Sequence, residues 1–262
     1  MNRTVLITGA SSGIGKALSK LFAADGYNLV LVARSEDDLH QLAADLQVAY
    51  PVQAAVLVKD MSKPSAPDEI FAALQSQGVI VDVLVNSAGY CTHNRFERSN
   101  LAEELAMVQV NATSLMHLTR LFLPGMLERG FGRILNVGST GSFAPTPYMA
   151  TYGATKAFVL SFSEALSEEL KGTDVHVTAL CPGVTRTGFQ DRAQVNGMVL
   201  LRGPVMTADE VARTGYKALM SGKPVVVPGA MNGLMAFSPR LVPRGLTRWV
   251  GARLMESSIP PD

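Results

Sequence analysis

Seven short apolar runs punctuate the chain, at 4–8, 28–33, 53–58, 82–85, 133–137, 175–180 and 225–227. Each is too short and too uniformly apolar for an amphipathic helix, and such runs are expected of strands covered on both faces of a parallel sheet. Between them apolar positions recur at helical spacing. One helix is predicted over 14–25, after a glycine loop. A second, over 36–49, carries Leu39, Leu42, Ala43 and Leu46 on one face. A long helix over 100–129 is expected to stop at Gly130, and another over 150–171 at Gly172. The two prolines of 62–67 mark a surface loop before a further helix. This alternation predicts an α/β fold, a doubly wound seven-stranded parallel sheet with helices on both faces, followed by a C-terminal helical extension over about 228–262.

Composition narrows the picture. A chain of 262 residues, 47% hydrophobic and 17% charged, suits one domain over 1–262 with a large core. A net charge of +1 gives no electrostatic case for nucleic acid. Two cysteines, Cys91 and Cys181, read as reduced buried thiols and suggest a cytoplasmic chain. No charged-then-apolar leader is legible at the start. The apolar stretch 225–237 is broken by Pro228, Gly229 and Gly233, so no transmembrane anchor is expected. His40, His93, His117 and His176 lack metal-ligand spacing, and no metal site is expected.

The first strand runs into Thr8-Gly9-Ala10-Ser11-Ser12-Gly13-Ile14-Gly15 and then a helix. Glycines allow a tight turn and close approach to a pyrophosphate, and the helix N-terminus offers free N–H groups. At this place in an α/β chain the loop reads as the dinucleotide end of a Rossmann fold, although a purely structural turn gives the same pattern. The second strand ends at Ala33-Arg34 with no acid to meet a ribose 2′-hydroxyl. An arginine there suits a 2′-phosphate, hence NADP(H) over NAD(H), unless it is an ordinary surface arginine. Asp60 and Asn86-Ser87-Ala88-Gly89 follow the third and fourth strands, where ligands bind in open sheets.

Tyr152 and Lys156 lie four apart on one helix face. A phenol is a poor base near neutrality, and a nearby ammonium is expected to lower its pKa. Ser139 closes the fifth strand and is placed to bond a substrate oxygen. Asn111, mid-helix, suggests a buried polar role. A tyrosine and lysine at this spacing occur by chance on many surface helices, so the full set carries the reading.

On TGASSGIG (8–15), NSAG (86–89), Asn111, Ser139, YGATK (152–156) and Pro182-Gly183, the sequence resembles the short-chain dehydrogenase/reductase family over about 4–227. The resemblance implies that Tyr152 is the general acid and base, that Ser139 orients the substrate oxygen and that Lys156 binds the nicotinamide ribose and tunes Tyr152. Asn111 would hold a water in the proton relay. It further implies cofactor contacts from Gly9, Ser11, Ser12, Gly13, Ile14, Arg34, Asp60, Met61, Asn86, Ala88, Gly89, Tyr152, Lys156, Pro182, Gly183, Val184 and Thr187. Serine stands where the family usually has the second asparagine of N-N-A-G. A homodimer or homotetramer is implied, although residues beyond Val227 depart from the family's usual end.

The expected activity is NADP(H)-dependent interconversion of a ketone or aldehyde and an alcohol. The alternative is an NADP(H)-sensing binding protein on the same fold. A lid over about 184–206 carries Phe189, Val195, Met198, Val199, Leu200 and Leu201. Together with Phe143, Tyr148 and Met149 it suggests an apolar substrate, though core packing is an equal reading of these side chains. In the tail Arg240, Arg244 and Arg248 alternate with Leu241, Trp249, Val250 and Leu254. That pattern suits packing over the cleft or against a second subunit better than binding to a membrane surface.

Overall fold

Alternation along each strand decides which helices cover the sheet. The computed structural model describes residues 3–187 and 205–256. In β1 (Thr4–Thr8), Val5 and Ile7 point to one face and Leu6 to the other. The same split recurs in β2 (Asn28–Ala33), β4 (Val83–Asn86) and β5 (Gly132–Val137). On the first face pack α1 (Gly13–Ala24), α2 (Glu36–Ala49) and α7 (Ala208–Met220). On the second pack α3 (Ala66–Ser76), α5 (Ser114–Glu128) and α6 (Ala150–Glu169). Leu18 and Phe22 of α1 are wholly buried, each worth about 2 kcal/mol of transfer free energy.

With β3 (Ala54–Val58), β6 (Val175–Leu180) and β9 (Val225–Val226), the strands form one parallel sheet in the order β3-β2-β1-β4-β5-β6-β9. The order reverses direction between β1 and β4. The helices that follow those strands lie on opposite faces of the sheet, the arrangement that places a ligand crevice at its carboxyl edge. Thr8 of β1 pairs with Asn86 of β4 at that edge.

Two features differ from the sequence expectation, and the expected C-terminal helical extension is present. The long helix over 100–129 is two helices, α4 (Leu101–Val108) and α5, joined by a π-helical turn over Gln109–Thr113. The turn holds one residue more per hydrogen-bonded loop than an α-helix and re-aims Asn111. The segment assigned to a lid is framed by a two-stranded parallel ribbon, β7 (Thr185–Arg186) with β8 (Met206–Thr207). Phe189, Val195, Met198, Val199, Leu200 and Leu201 lie outside the described residues. The C-terminal extension holds α8 (Ala230–Phe237) and α9 (Arg244–Glu256). No helix among the described residues is long and apolar enough to cross a membrane.

Candidate active site

The glycine loop is shaped by contacts that a side chain would break. Gly9 and Gly13 have φ of +67° and +55°, in the left-handed region. A Cβ on Gly9 would lie 2.9 Å from the backbone of Ala88, so the loops after β1 and β4 press directly together. Thr8 fastens the same junction, its Oγ1 accepting the N–H groups of Ser87 and Ala88 at 3.1 Å each. A Cβ on Gly13 would meet the Thr187 methyl at 3.1 Å, which brings the chain after Pro182-Gly183 against the start of α1. Ser12 precedes α1 in extended conformation, and no side chain caps the helix. This cradle, too tight for any Cβ and closed by backbone donors, fits the pyrophosphate of a dinucleotide.

Arg34 is exposed at the end of β2. Its charge acts on both Asp60 and Tyr90. Burial raises the Asp60 pKa. The Ser62 backbone and side-chain hydrogen bonds and the charges of Arg34 and Lys63 outweigh it and hold the carboxyl below its ordinary value. Met61 is buried, and its carbonyl accepts the Ser114 hydroxyl at 2.8 Å.

Asn86 turns inward. Its Nδ2 donates to Asn136 Oδ1 at 2.9 Å and to Thr119 Oγ1 at 3.3 Å, and Asn136 in turn donates to Ser163 Oγ at 3.0 Å. This buried amide chain ties β4 and β5 to α5 and α6. Only the backbone of Asn86 and its neighbours is left to face the crevice.

Ser139, Tyr152, Lys156, Asn111 and Gly89 converge at the ends of β4 and β5. Tyr152 and Lys156 share one face of α6, as their spacing predicts. Lys156 is buried, and Nζ donates to the Val137 carbonyl at 2.8 Å and lies 5.8 Å from the Tyr152 ring centre. A Cβ on Gly89 would sit 3.0 Å from Asn111 Oδ1 and 3.4 Å from Lys156 Nζ, so a glycine is required between them. Asn111 clamps the main chain of Tyr90: Oδ1 accepts its N–H at 3.1 Å and Nδ2 donates to its carbonyl at 2.9 Å. Nδ2 also donates to Thr155 Oγ1 at 3.2 Å, joining α6.

Ser139 is hydrogen-bonded to Tyr152. Its Oγ also accepts from Gly141 N at 3.0 Å, while Ser142 Oγ accepts the Ser139 N–H at 3.2 Å. This reciprocal pair fixes the Ser139 backbone.

The electrostatics differ from the sequence expectation in one respect. Burial raises the Tyr152 phenol above its ordinary value, with a smaller rise from Cys91 and a lowering by the Ser139 hydrogen bond. Lys156 was expected to lower it. The cost of taking a phenolate out of water sets the direction instead. Burial pushes Lys156 itself down to about 8. Cys91 and Cys181 are both buried beside this group, and burial pushes each thiol up to about 12. Both are therefore neutral packing groups near pH 7.

Sequence reasoning missed Thr8 and Ser142, whose roles depend on partners distant in sequence or turn geometry. It also missed the backbone of Tyr148. That residue has φ of +65°, unusual for a bulky side chain, and its ring meets His93 edge-on at 6.4 Å.

A dinucleotide cradle at a sheet's switch point, opening onto a half-buried serine and tyrosine and a buried lysine, defines an oxidoreductase of the doubly wound α/β class. The chain belongs to the short-chain dehydrogenase/reductase family, whose profile, described as short chain dehydrogenase, matches residues 3–196. It is 33% identical over 222 residues to the ketoacyl reductase HetN of a Nostoc species, covering 83% of this chain and 75% of that one. A short-chain dehydrogenase from Sphingobium yanoikuyae, solved in complex with NADPH, superposes with a TM-score of 0.82 at 33% identity, over 94% of this chain and 95% of that one. A short-chain dehydrogenase/reductase from Burkholderia phymatum, solved with NAD, gives 0.79 at 25% identity over 90% and 92%.

Proposed function

We propose that this enzyme reduces an apolar ketone or aldehyde to an alcohol with NADPH, and that Tyr152 supplies the proton. The observation that carries the proposal is the raised phenol of the half-buried Tyr152, hydrogen-bonded to Ser139 beside the Lys156 ammonium. The nicotinamide, when bound, supplies the hydride. Every other part of the reaction falls to the chain.

A phenol whose pKa is raised by burial stays protonated near neutral pH, which is the form a proton donor needs. Ser139, fixed by Ser142 and Gly141, directs its hydroxyl to the substrate oxygen that Tyr152 protonates. As the proton leaves, the developing phenolate gains the field of Lys156, while the Ser139 hydroxyl stays on the substrate oxygen. Both groups are already held in place and need little reorganisation. The Val137 carbonyl holds Lys156 Nζ in place without a salt bridge that would neutralise it.

Preference for NADPH rests on Arg34 and on the lack of an acid at the end of β2. One solved relative carries NADPH and another NAD, so the chain's own Arg34 decides the assignment. An apolar substrate is supported by the ketoacyl substrate in the name of the Nostoc relative and by the apolar residues Phe143, Tyr148 and Met149 that precede Tyr152 in the sequence.

The test is titration of the purified protein with NADPH and NADH, then a panel of apolar and charged carbonyls followed by NADPH absorbance. Selective NADPH binding with turnover on apolar ketones or aldehydes is expected. Tight binding with no turnover across the panel would support a cofactor sensor instead.

A further inference from the structure

The helices of the C-terminal extension turn their apolar faces outward. On α9, Leu246, Trp249, Val250 and Arg253 recur at i, i+3, i+4 and i+7, so they share one face, and Leu246, Trp249 and Val250 are 48%, 59% and 40% exposed. The opposite side is the one that packs: a Cβ on Gly251 would lie 3.4 Å from both the Pro145 carbonyl and the Pro147 ring. On α8, Ala236 is buried and Asn232 sits against Gly183, while Met231, Leu234 and Met235 face out. Leu241, between the helices, is 71% exposed. A surface helix ordinarily does the reverse, and an apolar patch of this extent marks an interaction surface.

Charge selects the partner. Residues 228–262 contain Arg240, Arg244, Arg248 and Arg253, no lysine, and two acids, Glu256 and Asp262, that follow the arginines. All four arginines are exposed. Arg253 lies over the Trp249 ring, 5.8 Å from its centre. Exposed apolar groups interspersed with guanidinium groups, and no carboxylate before Glu256, match an anionic lipid surface, where apolar side chains enter the acyl boundary and arginines stay with the headgroups. A second copy meeting this face symmetrically would oppose arginine to arginine.

We propose that the α8–α9 extension docks this enzyme on an anionic lipid surface as a peripheral, interfacial attachment. The extension leans on the segment just after Ser139, α8 against the 140–142 turn and α9 against Pro145 and Pro147. Docking therefore brings that segment close to the bilayer, where apolar carbonyl compounds concentrate. The docking itself does not depend on the reaction proposed above.

Trp249 is the chain's only tryptophan and lies at the centre of the face. Its emission is followed in the full-length protein on adding vesicles of phosphatidylcholine alone, or of equal parts phosphatidylcholine and phosphatidylglycerol, with co-sedimentation in parallel. A blue shift and pelleting are expected with the anionic vesicles only, both weakened by added salt. Arg244→Gln and Arg248→Gln should each weaken partitioning roughly fivefold. Leu246→Ser with Val250→Ser should abolish the shift while leaving NADPH affinity unchanged. Equal binding to both vesicle types would overturn the charge argument. No shift with either, or blue emission in a lipid-free dimer that these substitutions dissociate, would overturn the docking itself.

Discussion

Replacing Lys156 with methionine should leave the fold as stable as before, or slightly more so, while removing most activity. Burial, offset a little by Cys181 and Cys91, takes the lysine from an ordinary 10.5 down to about 8. Below about pH 8 both the folded and unfolded chains carry the charge, and the folded state bears the whole cost of burying it. Between about pH 8 and the unfolded value the unfolded chain holds a proton the folded chain has released, so stability rises with pH. The difference corresponds to about 3 kcal/mol at neutral pH. Lys156→Met removes this cost, but leaves the Val137 carbonyl without its donor, which costs about 2 kcal/mol. The net expectation is a gain of about 1 kcal/mol or no change at neutral pH. Wild type should regain ground on the variant as pH rises. Urea unfolding of both proteins near pH 7 and near pH 9.5 measures this directly, since other titrating groups are common to both. A variant several kcal/mol less stable near neutrality, with a deficit that does not change with pH, would refute the reasoning. Turnover with NADPH should fall by about a hundredfold or more through loss of the ammonium's field at Tyr152.

Two further substitutions probe the parts around this group. Arg34→Ala should weaken NADPH binding by about tenfold or more and NADH binding little, as loss of a charge-assisted phosphate contact requires; equal weakening in a titration would mean that Arg34 does not read the phosphate. Ser142→Ala frees the Ser139 N–H from its acceptor. It should lower kcat several-fold, at about 1 kcal/mol for one neutral hydrogen bond, with cofactor affinity unchanged. An unaltered kcat would show that Ser139 is held by other contacts.

The strands were legible because both faces of each are covered, leaving apolar runs that nothing else in the chain imitates. Three of the seven, at 4–8, 28–33 and 175–180, match their expected limits, and the others differ by a residue at one or both ends. The π-helical turn at Asn111 was not legible. Its only local signal is a polar residue mid-helix, and the extra residue follows from packing against Tyr90 and Thr155. The ribbon of β7 and β8 is too short to leave a pattern. In the site, the glycine loop and the tyrosine–lysine spacing can be read because local geometry sets them. The raised Tyr152 phenol cannot be, because burial is a property of the whole fold. The tail was read as a packing element, but with Arg253 not counted and with no means of knowing that Leu246, Trp249 and Val250 face out.

Tyr152→Phe tests the central claim most directly. The substitution removes one oxygen and keeps the ring that packs in the site. The account predicts NADPH affinity within about twofold of wild type and turnover reduced by a factor on the order of a hundred to ten thousand, the usual worth of a positioned proton donor. Near-normal turnover in that variant would take Tyr152 out of the mechanism and leave Ser139 and Lys156 without the partner their geometry serves.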